Sequence, residues 1–172
     1  MLPAALASRL PGLAALPRAV VLIDGGAGAG KTTLAAELIS SWPGEAPQLV
    51  GLDELYPGWD GLAAAAALVP RLVSGTGFRS WDWAAAAPGP WRELDPHRPL
   101  VVEGCGAITP ASAELADLSI WLEAPTAERK ARALARDGDA FAAHWDDWAA
   151  QEAEHWREER PAELADLVIS SD

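Results

Sequence analysis

Gly25, Gly30, Lys31 and Thr32 fall at the spacing Gly-x-x-x-x-Gly-Lys-Thr, inside the stretch "LIDGGAGAGKTTLA" that spans residues 22–35. Glycines so spaced let the backbone turn with its N–H groups pointing inward, a nest for phosphate oxygens at the positive end of the following helix. In that arrangement Gly25, Gly26, Ala27, Gly28, Ala29 and Gly30 form the cradle. Lys31 reaches the β and γ phosphates, and Thr32, with Thr33 beside it, brings a hydroxyl to a Mg²⁺ that bridges them. The chemistry implied is nucleotide binding, with ATP and Mg²⁺ as the groups held.

Transfer of the γ-phosphate needs more: an acceptor hydroxyl in line with it and a carboxylate to take the hydroxyl's proton. "VGLDELYPGWDG" (50–61) supplies Asp53 at the end of an apolar run, followed by Tyr56, Trp59 and Asp60. "PLVVEG" (99–104) ends another run in Glu103, placed to help hold Mg²⁺. "ERKARALARD" (128–137) spaces Arg129, Arg132 and Arg136 at three and four, one helix face that can close over a triphosphate or simply pair with Glu128 and Asp137. A GTPase reads guanine through Asn-Lys-x-Asp, which a chain without asparagine does not contain. Mechanical ATPases bring larger assemblies and further sensor motifs, so at 172 residues a small-molecule kinase is favoured.

These groups need elements to position them. Five apolar runs, at 19–24, 48–53, 99–104, 118–123 and 166–170, alternate with helical stretches and read as buried parallel strands of an α/β fold. Helices are expected over 30–41, over 61–75 with a stop or kink at Pro70, from Pro125 to Gly138, and from 139 to Pro161. The Gly-, Pro- and Trp-rich stretch 75–99 lacks periodicity and reads as loop or irregular cover. The length and the 50% hydrophobic content suit one domain over 1–172, with residues 1–18 an apolar helical extension.

A formal net charge of -12, from 25 acidic against 13 basic residues, argues against nucleic acid or an anionic membrane as partner and for a small molecule. The single cysteine, Cys105, reads as a small core residue and excludes an internal disulfide. The N-terminal stretch carries Arg9 and three prolines before residue 18, so it reads as neither signal peptide nor span, and a cytoplasmic monomer or homodimer is expected.

Together "DGGAGAGKTTLA", "LDELYPGWDGL", "RSWDW", "VVEGCGA" and "RALARDG" resemble the small bacterial ATP-binding proteins grouped with the uridine kinase and nucleoside kinase branch of P-loop kinases, over residues 19–170. The resemblance implies a P-loop three-layer sandwich: a five-stranded parallel sheet in the order 2-3-1-4-5 with helices on both faces. It implies Asp53 as base on a sugar hydroxyl with Tyr56 near the acceptor, Glu103 on the metal side, and Arg129, Arg132 and Arg136 as lid. The segment that reads the pyrimidine in uridine kinases has no counterpart, and tryptophans stand in its place. A nucleoside or nucleotide acceptor is favoured; another hydroxyl compound such as an antibiotic, or ATP binding without transfer, remains open.

Among nine tryptophans, Trp59, Trp81 and Trp83 fall where indole faces can stack on a flat acceptor, with Arg79 and Asp82 as polar ends, or else cover the sheet. Trp145, Trp148 and Trp156 form a helical stripe and read as structural. His97, His144 and His155 complete no zinc spacing, and there is no Gly-x-Ser-x-Gly elbow.

Overall fold

The computed structural model describes residues 1–170. Short helices α1 (Ala4–Ala7) and α2 (Leu10–Ala14) precede β1 (Val20–Gly25), α3 (Lys31–Ser40) and β2 (Gln48–Gly51). A 3-10 turn (Leu52–Glu54) leads to α4 (Leu62–Ser74), then to β3 (Gly77–Asp82) and β4 (Ala87–Glu93). After them come β5 (Leu100–Glu103), α5 (Pro110–Ala113), β6 (Leu118–Glu123), α6 (Thr126–Ala142), α7 (Trp145–Glu159), α8 (Pro161–Leu164) and β7 (Leu167–Ser170). Among the described residues no helix is long and apolar enough to cross a membrane.

The main sheet runs β2-β5-β1-β6-β7, every pair parallel. Counting only its own strands in chain order, this is 2-3-1-4-5, the order the resemblance implies. All of β1 is buried, and its side chains alternate between two cores. Val20 and Leu22 join the core under α4 and α7, whereas Val21 and Ile23 join the one under α2 and α3. Continuous apolar runs are what a strand covered on both faces requires. The order also brings three strand ends to one edge: Glu103 pairs in register with Ile23 on one side and Gly51 on the other, so the phosphate loop, Glu103 and Asp53 leave the sheet as neighbours.

Three sequence expectations need revision. Helix α4 continues through Pro70 as far as Ser74, because Val69, Leu72 and Val73 are buried and their packing outweighs the backbone bond that proline cannot donate. The stretch 75–99 contains an antiparallel hairpin in which Arg79 pairs with Trp91 and Trp81 with Pro88. Its β4 strand carries Pro88 and Pro90 and buries no side chain, so no alternation marked it in advance. Finally, the chain leaves helical geometry at Gly138 (φ 63°), where the sequence ends one helix, and breaks again before Trp145, where the next long helix was expected to continue.

Candidate active site

The phosphate loop hangs between the end of β1 and the start of α3. Gly28 takes φ 79°, and a side chain there would strike the backbone carbonyl of Arg129, so glycine is required both for the turn and for the close approach of α6. Lys31 Nζ lies across the loop, donating to the carbonyl of Gly25 at 2.8 Å, that of Gly26 at 3.0 Å and Cys105 Sγ at 3.4 Å. Burial disfavours its charge, but Cys105, Glu103, Glu152 and Asp24 around it outweigh that and hold the ammonium above its ordinary value. A positive φ at Gly28 and Gly30, a helix start and a buried, charged lysine together fit polyphosphate.

Thr32 Oγ1 donates to Glu103 Oε1 at 2.9 Å. Burial raises the Glu103 carboxyl above its usual range; Lys31 and Thr32 pull it down, while the charge of Asp53 pushes it up again. Among the described residues no group of three or more His, Cys, Asp or Glu is arranged as a metal cage. One hydroxyl and one carboxylate instead suit Mg²⁺, which keeps most of its shell for water and phosphate oxygens.

A cavity of about 640 Å³ opens from the loop. Its walls bring together Gly28, Lys31, Thr32 and Thr33 with Glu103, Asp53, Tyr56, Trp59 and Arg136, residues up to 108 positions apart in the sequence. Asp53 stands on the 3-10 turn, its carbonyl taking a bond from Trp83 Nε1 at 2.8 Å. Tyr56 spends its hydroxyl on the Cys105 carbonyl at 2.7 Å, and so presents a ring to the cavity. Trp59 stacks on His144 at 4.3 Å and on Phe141 at 5.6 Å, and meets Trp83 edge-on at 5.2 Å.

The three arginines part company. Arg136 lines the cavity and pairs with Asp137 at 2.7 Å, which, with Asp53 and Glu103 nearby, holds its guanidinium above the ordinary value despite partial burial. Arg132 faces solvent, paired with Glu128 at 3.1 Å. Arg129 is buried under the loop, where it donates to the Ala27 carbonyl at 3.1 Å. Arg79 and Trp81, expected at the acceptor side, are not among the cavity walls; Arg79 bonds to the Gly89 carbonyl within the hairpin, and Asp82 caps the hairpin turn through Ala85 N–H. Trp148, read from its spacing as structural, packs on Tyr56 and also lines the cavity, as do Phe141 and Asp137.

Sequence reasoning also missed a buried layer beneath the site. Asp24, fully buried, accepts from Gly25 N–H at 2.7 Å, Gly106 N–H at 3.1 Å and Ile108 N–H at 2.9 Å, tying the loop's root to the segment after β5. Burial raises its carboxyl pKa, with the N–H groups of Ile108 and Gly25 opposing. The only signal was an acid ending a buried strand. Asp24→Ala orphans these donors, and urea unfolding is expected to show a loss of about 2–4 kcal/mol at unchanged slope.

Cys105 forms part of the cavity floor, where burial pushes its thiol up to about 12. Its folded pKa lies above the value of an unfolded cysteine, so its contribution to stability is complete below about pH 8.5 and declines as pH rises towards 12. Cys105→Ala is therefore expected to flatten the alkaline fall in stability by one proton's slope, read from denaturation curves across pH 8–11.

No protein-family model and no curated protein matches the sequence. Solved structures do. A possible uridine kinase from Bacillus stearothermophilus superposes with a TM-score of 0.62 over 96% of this chain and 99% of its own, at 17% identity. A candidate fructose transport system kinase from Silicibacter sp. TM1040 superposes with a TM-score of 0.56 over 95% and 98%, at 21% identity. At such identities the likeness speaks for the fold, and the fold of this chain is that of the P-loop kinases.

Proposed function

We propose that the protein is an ATP- and Mg²⁺-dependent phosphotransferase acting on a hydroxyl or phosphate of a small acceptor, with a nucleoside or nucleotide favoured. One observation carries the reading: a single cavity joins Lys31, Thr32 and Glu103 to Asp53 and an aromatic wall, so donor and acceptor halves are contiguous. When bound, Mg²⁺-ATP supplies the phosphoryl group and a divalent charge at its oxygens.

The chain's own residues do the rest. Residues 25–33 hold the polyphosphate through backbone N–H groups, and Lys31 places a fixed positive charge where negative charge builds up. Thr32 and Glu103 hold the metal side. Asp53 orients the acceptor hydroxyl and takes its proton, a role for which its place at the cavity wall is suited. Arg136, on the cavity wall, supplies a cationic edge towards the phosphates, whereas Arg132, turned to solvent and paired with Glu128, takes no part in it. Tyr56, Trp59 and Trp83 offer flat apolar surface to an acceptor and exclude water.

The test is ADP release measured against a panel of nucleosides, nucleotides, sugars and hydroxylated antibiotics. Stimulation by one chemical class is expected. ATP binding with no stimulation by any acceptor would instead favour a nucleotide-binding module that transfers nothing.

A further inference from the structure

Ala27, in the middle of the phosphate loop, is gripped on both sides of its backbone. Its N–H donates to Glu152 Oε1 at 2.6 Å, and its carbonyl accepts from Arg129 Nη1 at 3.1 Å. The two gripping side chains are themselves paired, Arg129 Nη1 to Glu152 Oε2 at 3.4 Å. Glu152 is 1% exposed, belongs to α7 and also accepts from Cys105 Sγ at 3.2 Å. Arg129 is anchored in turn by the Ala124 carbonyl at 3.3 Å and lies over the Trp156 ring at 5.5 Å.

A carboxylate this deep is costly to desolvate unless it is both paired and hydrogen-bonded. Balancing Arg129 would take one ion pair and leave the loop alone. Here the second oxygen is spent on a residue flanked by Gly26 and Gly28, which have little backbone preference of their own. We infer that Glu152 is a positioning residue for nucleotide binding: through the Ala27 N–H it holds the phosphate loop in its receptive shape. The inference rests on the loop's reading as a polyphosphate cradle.

Two conservative variants separate this role from mere charge balance. Glu152→Asp keeps the negative charge beside Arg129 but withdraws it by one methylene from Ala27 N–H. Glu152→Gln keeps the reach, its amide oxygen still accepting from Ala27, but leaves Arg129 without a counter-charge. The readouts are Mg²⁺-ATP affinity by calorimetric titration and the thermal unfolding midpoint, neither of which needs an acceptor.

The expected result is a crossed pattern. Glu152→Asp weakens ATP binding by about tenfold while melting above Glu152→Gln, since one unpaired amide costs less than an uncompensated buried charge. Glu152→Gln melts lower but binds ATP close to wild type. Unchanged ATP affinity in Glu152→Asp would overturn the inference, as would affinities that simply follow the melting temperatures. A wild-type protein that binds no Mg²⁺-ATP would overturn it together with the nucleotide reading itself, and so tell the two failures apart.

Discussion

Lys31→Ala is expected to lower acceptor-stimulated ATP consumption by about a thousandfold or more, the scale of removing a fixed cation from a phosphoryl-transfer site. The size follows from where the ammonium sits. It is buried at the foot of the cavity, bonded to two loop carbonyls, with four groups that raise its pKa packed around it. Alanine removes the charge proposed to meet the phosphates and also the strut that crosses the loop from Gly25 to Cys105. Arginine is not expected to rescue it, because a planar guanidinium does not fit between carbonyls spaced for a single ammonium nitrogen. Steady-state kinetics beside a thermal melt check this; a variant that folds and retains more than a tenth of the activity would remove Lys31 from the chemistry.

Asp53→Asn is expected to separate binding from transfer. Asparagine preserves the shape of the side chain on the 3-10 turn, and the backbone bond from Trp83 goes to the residue 53 carbonyl, which the change leaves alone. ATP affinity should therefore stay close to wild type while turnover falls by roughly 10²–10⁴, the usual contribution of a positioned general base. The split between an unchanged nucleotide dissociation constant and a collapsed kcat is the diagnostic. Unchanged turnover would take the base assignment away from Asp53.

The architecture was readable because it rests on local signals. Each sheet strand is a short Val-, Ile- and Leu-rich run, and Gly30-Lys31-Thr32 marks the loop without help from the fold. Asp53 and Glu103 were readable for a related reason, since acids that end apolar runs must emerge at one sheet edge when the strands are parallel.

What stayed hidden depends on distant partners. Glu152 reaches Ala27 across 125 residues, and inside "QEAEHW" it has nothing to distinguish it from the solvated acids beside it. Arg129, Arg132 and Arg136 share a spacing, yet the break at Gly138 and the docking of α6 on the loop bury the first, expose the second and turn the third to the cavity. Arg79 and Trp81 were drawn towards the acceptor by their neighbours in "RSWDW", but pairing with β4 keeps them out of the cavity and leaves Trp83, past the strand end, to reach Asp53.

In the proposed reaction this cavity moves a γ-phosphate from ATP to a small molecule. This transfer is tested most directly by incubating the wild-type protein and Asp53→Asn with γ-labelled ATP, Mg²⁺ and the acceptor panel, then separating the labelled products. Label is expected on one class of small acceptor with wild type, and none with Asp53→Asn despite retained ATP binding. Label that stays on ATP, or appears only as inorganic phosphate whatever acceptor is present, would contradict it.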